Sequence, residues 1–167
     1  MKYKILQIID TFDKKYSSKY LNNLKFEKFI RKISIDPIFI YIFFLLLNIF
    51  LFNNIYFKSF VFFTIFWLII ICIKHIVRRP RPILIKGYFL QEILSLKPDN
   101  YAFPSAHTFV SFQIIPLAFS MNFLLGIMVC IYSILIAFSR IYLKFHYISD
   151  VTFGIIAGIL CGFISIL

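Results

Sequence analysis

The sequence predicts an all-α integral membrane protein: a helical bundle of about five transmembrane helices with an N-terminal amphipathic helix on the membrane surface. Three observations predict it. Of 167 residues, 61% are hydrophobic and 15% charged, whereas a soluble domain is apolar over roughly half its length. The apolar residues gather into runs close to the roughly 20 residues that a spanning helix needs. The charges stand at the ends of those runs rather than along them.

Residues 1–35 read as a basic amphipathic interfacial segment. Ile5, Ile8, Ile9 and Phe12 recur at helical spacing. Leu21, Leu24, Phe26, Phe29, Ile30 and Ile33 do so less regularly, between Lys25, Lys28, Arg31 and Lys32. No cleavable signal peptide is visible, because the first apolar patch is short and is followed at once by Asp10, Asp13, Lys14 and Lys15. Residues 36–167 read as the transmembrane domain. Its apolar runs are 37–57, 60–77, 105–120, 123–143 and 147–167, with a polar, proline-rich stretch at 78–104. The third run is short and contains Pro116, which predicts a kink or a locally thinned bilayer. Only Met121 and Asn122 separate the third run from the fourth, so these two should form a tight helical hairpin. Cys72, Cys130 and Cys161 fall inside the spans without metal-binding spacing or a disulfide framework, and read as small apolar filler.

The net charge is +11. In a soluble protein that would suggest nucleic acid. Here the bases flank membrane segments, so the expected partners are anionic membrane lipids or a phosphate substrate, and no nucleic acid. Most of the phenylalanine lies inside the apolar runs and needs no base-stacking role. Alternation of the spans brings the end of the second, the start of the third, the end of the fourth and the start of the fifth to one face, with the amino-terminal tail. Of the 18 Lys and Arg, only Lys58 falls at the opposite face, and all seven Asp and Glu lie on the crowded side. There is no internal repeat and no signal of oligomeric state.

Three clusters stand on the crowded face. The first runs from Lys74 and His75 through Arg78 and Arg79 to Arg81, which sits between two prolines that stiffen its backbone. Lys74 lies near a helix end, where an ammonium is costly unless it serves a polar cavity. The second cluster is Pro104-Ser105-Ala106-His107. Pro-Ser is a helix-entry signal with Ser105 as the N-cap. The N–H groups of that first turn favour anions, and His107 stands where it can protonate a leaving oxygen. The third cluster is Ser139-Arg140, His146 and Asp150. His146 and Asp150, four apart, are expected on one helical face. A carboxylate there would hold one imidazole nitrogen as N–H and leave the other as nucleophile or base. Arg140 can return across the short turn and clamp a phosphoryl group through two donors.

Each residue has a plainer reading. The cations of the first cluster are a fair polybasic anchor for lipid. His107 alone is an interfacial histidine, Asp150 a helix cap or a partner for Lys144, and Ser139 a small packing residue. Convergence argues against these readings taken singly. Two histidines, three cations and a carboxylate arrive from separate helix ends on one face, which is the set that phosphoryl transfer needs.

These residues resemble the three motifs of the type 2 phosphatidic acid phosphatase family, related to vanadium haloperoxidases and bacterial non-specific acid phosphatases. The first motif, Lys, six residues, Arg-Pro, is Lys74 and Arg81-Pro82. The second, Pro-Ser-Gly-His, reads Pro104-Ser105-Ala106-His107. The third, Ser-Arg, five residues, His, three residues, Asp, is Ser139-Arg140, His146 and Asp150. The order and internal spacings match, across roughly residues 37–167 in layout. The resemblance implies a membrane lipid phosphatase that hydrolyses a phosphomonoester or diphosphate of a lipid, of polyprenyl diphosphate or phosphatidate type. It implies that His146 attacks phosphorus to form a phosphohistidine, with Asp150 holding it. His107 then protonates the leaving group and helps activate water. Lys74, Arg81, Ser105 and Arg140 bind the phosphoryl oxygens, and no cofactor or metal is required.

Two departures stand out. Ala106 replaces the usual glycine, which is harmless if the position is helical and strained if it needs a positive φ. Many relatives have six spans where about five are counted here. The family's site usually faces the extracytoplasmic side of the cell membrane, and that is the expectation here. The positive-inside rule points the other way, because the tail carries nine Lys and Arg against three acids before Asp36. Two other functions stay in view: a non-enzymatic membrane protein binding anionic lipid through its basic face, and a phosphotransferase on the same scaffold.

Overall fold

Long apolar segments broken by helix-capping residues dictate the architecture. A computed structural model describes residues 54–82 and 101–167, together with Leu46. Among the described residues there are four helices: α1 (Asn54–Val77), α2 (Ala106–Met121), α3 (Phe123–Tyr142) and α4 (Ile148–Ile166). Three of them hold a stretch long and apolar enough to cross a membrane, namely 57–77, 123–142 and 148–166. The expected N-terminal amphipathic helix, the expected first span up to residue 53, and residues 83–100 lie outside the described residues.

One boundary differs from the sequence reading. Residues 54–57 belong to α1, and Lys58 and Ser59, expected in the turn between spans, lie inside that helix. Ser59 needs no turn because its buried hydroxyl donates to the carbonyl of Ser165 at 3.0 Å. This bond ties the start of α1 to the end of α4, at the far side of the bundle from the polar clusters.

The third apolar run forms α2, the shortest of the four and the most enclosed. At 16 residues it rises about 24 Å, less than a bilayer core of about 30 Å. Its neighbours cover it almost from end to end. Phe109, Val110, Ile114 and Leu117 pack with Phe63 and Ile70 of α1, while Phe112 packs with Ala137 of α3 and Val151 of α4. This enclosure explains why Thr108, Ser111 and Gln113 are tolerated there. Meanwhile α1, α3 and α4 turn residues such as Leu68, Met128, Ile131 and Leu160 outward to lipid.

α4 approaches α2 through a stripe of glycines four residues apart, Gly154, Gly158 and Gly162. A methyl on Gly154 would lie 2.9 Å from the carbonyl oxygen of Ser105, and one on Gly158 would lie 2.5 Å from that of Phe109. Small residues let membrane helices pack backbone to backbone. On the other flank Ser133 of α3 donates to the carbonyl of Ser111 at 2.7 Å. The hairpin expected at Met121–Asn122 is present: Asn122 ends α2 and caps α3, its Oδ1 accepting from the N–H groups of Leu124 and Leu125 at 2.8 and 3.2 Å. These contacts hold the end of α1, the start of α2, the end of α3 and the start of α4 side by side.

Candidate active site

At this end α1 and α3 are each followed by a cationic residue with left-handed backbone, Arg78 with φ 51° and Lys144 with φ 56°. The reversal after α3 is closed by the carbonyl of Arg140, which accepts from the N–H groups of Phe145 and His146 at 3.0 and 3.2 Å. It drops His146 into the interior just before α4 begins. After α1 the chain runs as a short extended piece. The N–H of Ala102 donates to the carbonyl of Arg79 at 2.7 Å beside a Pro80–Tyr101 bridge.

His146 is 2% exposed. Its Nδ1 lies 2.7 Å from the carbonyl oxygen of Ala102. A carbonyl only accepts, so Nδ1 carries the proton and Nε2 carries the lone pair. Nη1 of Arg81 stands 3.5 Å from that Nε2. Burial lowers the imidazole pKa to about 4, Arg81 and Lys74 push the same way, and Asp150 opposes them. The ring is therefore neutral at pH 7, with its lone pair facing a guanidinium.

The other expected residues surround it. Lys74, buried in the last turn of α1, and Arg81 both lie within electrostatic reach of His146 and of His107. His107 is buried in the first turn of α2, and Arg140 acts on it as well. Arg140 is fully buried, with Nε donating to Ser139 Oγ at 3.2 Å and its guanidinium over the ring of Phe145 at 5.6 Å. Ser105 is the N-cap of α2 as expected, but its hydroxyl makes no capping bond and instead meets Thr108 Oγ1 at 3.0 Å. Its main-chain N–H donates to the carbonyl of Asp150 at 3.2 Å, linking the second cluster to the third. Ala106 opens α2 with no positive φ, so the extra methyl carries no backbone strain.

Asp150 requires a correction. The sequence reading puts it on one helical face with His146, holding the imidazole directly. α4 begins only at Ile148, so His146 lies outside the helix. Asp150 Oδ2 instead accepts the N–H of Tyr147 at 2.9 Å as a capping box, and stands 3.8 Å from His146 Nδ1. That separation is longer than a hydrogen bond, yet Asp150 still acts on the ring and raises its pKa against the effect of burial. The bond to Nδ1 comes from Ala102, a main-chain group that leaves no trace in side-chain sequence.

The sequence reading also passes over Arg79, which it treats as part of a basic run. Nη1 of Arg79 lies 2.7 Å from Asp150 Oδ1 and 2.7 Å from Ser149 Oγ. Its guanidinium sits 4.2 Å from the centre of the Tyr147 ring. His75 and Arg78 are exposed; His75 bonds to the carbonyl of Ile71 and sets its ring edge-on to Tyr101, and Arg78 bonds to the carbonyl of His75. Among the described residues, no cluster of His, Cys, Asp and Glu could hold a metal ion.

A family model for the PAP2 superfamily matches residues 59–167. The chain belongs to the PAP2 superfamily. All seven expected site residues fall inside the match. The PAP2 fold is shared with two solved structures. One is the first transmembrane PAP2 type phosphatidylglycerolphosphate phosphatase from Bacillus subtilis, at TM-score 0.71 and 15% identity, covering 97% of this chain and 84% of that one. The other is LpxE of Aquifex aeolicus, at TM-score 0.67 and 19% identity, covering 96% of this chain and 93% of that one. No curated protein matches the chain. With three helices of spanning character, this PAP2 protein is an integral membrane protein.

Proposed function

We propose that this PAP2 protein is a membrane lipid phosphatase that works through a phosphohistidine at His146 and needs no metal. The observation that carries the reading is the state of that imidazole. Nδ1 is tied to Ala102 at 2.7 Å, and Nε2 faces Arg81 at 3.5 Å. A neutral nucleophile beside cations is what a phosphoryl anion requires. The cations draw in the substrate and offset charge on the equatorial oxygens, and the lone pair attacks phosphorus.

In the first step a bond forms between Nε2 and phosphorus while the bond from phosphorus to the leaving oxygen breaks. The electron pair stays with that oxygen, and His107, which takes up a proton as the phosphoryl anion binds beside it, passes that proton to the oxygen. In the second step water attacks the phosphoryl group, His107 takes its proton, and the electron pair of the N–P bond returns to Nε2. Lys74, Arg81 and Arg140 serve the phosphoryl oxygens, with Ser105 at the mouth of α2. The cations thereby take the charge-offsetting part that a metal plays elsewhere.

The site sits at helix ends, where a lipid tail can stay in the bilayer while its head enters from the side. This supports a lipid phosphate of polyprenyl diphosphate or phosphatidate type. The Bacillus neighbour, named as a phosphatidylglycerolphosphate phosphatase, adds weight to the lipid class. We place the active site on the extracytoplasmic face of the cell membrane by family analogy.

Phosphate release from polyprenyl diphosphate and from phosphatidate, with chelator present, tests the proposal. Wild type should release phosphate and His146→Gln should not, while both bind anionic vesicles. No release from either lipid by folded wild type would sink it, leaving a lipid-binding protein. Transfer to an added alcohol in preference to water would recast it as a phosphotransferase.

A further inference from the structure

Two groups face Nδ1 of His146, and one residue holds both. The near group is the Ala102 carbonyl at 2.7 Å, and the far one is the Asp150 carboxylate at 3.8 Å. The main-chain carbonyl of Arg79 accepts from Ala102 N–H at 2.7 Å, fixing the residue whose own carbonyl meets the imidazole. The Arg79 guanidinium pairs with Asp150 Oδ1 at 2.7 Å, with Ser149 Oγ at 2.7 Å, and lies over the Tyr147 ring. We propose that Arg79 is a positioning residue that keeps His146 neutral by engaging Asp150, leaving Nδ1 to the uncharged Ala102 carbonyl. The inference rests on the phosphatase reading of the same site.

The physical argument concerns a shared charge. A buried carboxylate needs a cation close by. The imidazole of His146 can become that cation only by taking a proton on Nε2, the atom that must attack phosphorus. Arg79 occupies the role permanently, since a guanidinium does not lose its proton. Asp150 is then held by Arg79 on one oxygen and by the Tyr147 N–H on the other. It remains near enough to stabilise the positive charge that grows on the ring during attack.

Among the described residues, the other charged or titratable groups around the imidazole favour its neutral form or share its function. They are Lys74 from α1, Arg81 from the segment after it, His107 from α2 and Arg140 at the end of α3. Among the described residues, Asp150 of α4 is the group that pulls the other way. A residue that governs Asp150 therefore governs the protonation of His146.

The test uses the full-length protein in detergent with 15N-labelled histidine. The chain has three histidines, and the signal of His146 is identified by its loss in His146→Gln. Arg79→Gln should raise the His146 titration midpoint by about one to two pH units, and Arg79→Lys should restore most of the shift. In phosphate release, Arg79→Gln should move the acid limb of kcat upward with little change in KM, because the proposal gives Arg79 to Asp150 and not to the phosphoryl oxygens. A residue that served packing alone would lower kcat equally at every pH. An unchanged His146 midpoint in folded Arg79→Gln overturns the proposal. If Arg79→Gln does not fold, Arg79→Gln/Asp150→Asn decides, because it leaves no carboxylate to protonate the ring. That double variant must fold and titrate at or below the wild-type midpoint, and a midpoint about a unit higher overturns the proposal. The titration does not depend on turnover, so an inactive wild type would defeat the phosphatase reading while the midpoints still decide the role of Arg79.

Discussion

Nδ1 of His146 donates to the main-chain carbonyl of Ala102 at 2.7 Å. The tautomer of the proposed nucleophile is thus set by backbone, and the carboxylate of Asp150 at 3.8 Å acts at longer range. Where a carboxylate alone holds the tautomer, its amide replacement costs on the order of 10⁴ in rate. Here Asp150→Asn should leave Nε2 with its lone pair and lower kcat only about 10- to 100-fold, as loss of an outer partner does. His146→Gln should abolish turnover. Steady-state phosphate release from the two variants measures the difference. A loss near 10⁴ for Asp150→Asn would mean that Ala102 does not hold the proton.

The same imidazole sets a pH dependence. Its pKa is lowered from 6.5 to about 4, chiefly by burial. The folded protein therefore binds less proton than the unfolded chain between these values, and stability rises with pH across that window. The contribution of His146 to stability is complete above the unfolded value and is lost as pH falls toward 4. Activity should follow the same sign, with the acid limb due to His146 near pH 4 rather than near 6.5. A kcat/KM profile and the 15N titration of the ring both report it, and a midpoint close to the ordinary histidine value would contradict the burial found here.

The residues that were legible in sequence are those whose chemistry is bound to a helix end. Lys74, Ser105, His107 and Arg140 sit where the apolar runs stop, and their spacing reflects where the helices begin and end. The hairpin at Met121–Asn122 was legible because so little separates two apolar runs, whereas the capping of α3 by Asn122 was seen only in the structure. The start of α1 was not legible, since Lys58-Ser59 resembles a break until the bond from Ser59 to the Ser165 carbonyl is seen. Arg79 was hidden among Arg78, Arg79 and Arg81. What separates them is direction: Arg78 turns outward on a left-handed backbone, while Arg79 turns in to Asp150. Ala102 acts through its carbonyl and has no side-chain signature at all.

The glycine stripe of α4 bears directly on the site, since α2 carries Ser105 and His107 and α4 carries Asp150. A Cβ at Gly158 would lie 2.5 Å from the Phe109 carbonyl oxygen and 3.1 Å from Phe112 Cβ. Backbone cannot move aside as a side-chain tip can, so the helices must part. Gly158→Val should destabilise the protein by about 1–3 kcal/mol and reduce turnover at temperatures where it remains folded. Ile156→Val, on the lipid-facing side of the same helix, should do neither. Thermal unfolding in detergent, paired with phosphate release, compares the two. Equal stability for both variants would show that α2 and α4 are not in backbone contact.

Ala106 stands where the family motif has glycine, and its conformation says what the reverse change should do. It is the first residue of α2, with Ser105 as the cap before it. A glycine is needed there only for a positive φ or for space beside the phosphate, and the helix already supplies a conformation that alanine favours. Ala106→Gly should therefore cost stability, by about 0.5–1 kcal/mol as for glycine within helices generally. It should leave KM within about twofold of wild type, a difference worth less than about 0.5 kcal/mol. Unfolding midpoints and initial rates on one lipid phosphate measure both quantities. A fall in KM of tenfold or more would mean that the methyl crowds the phosphoryl group, and that the alanine tunes substrate affinity rather than helix stability.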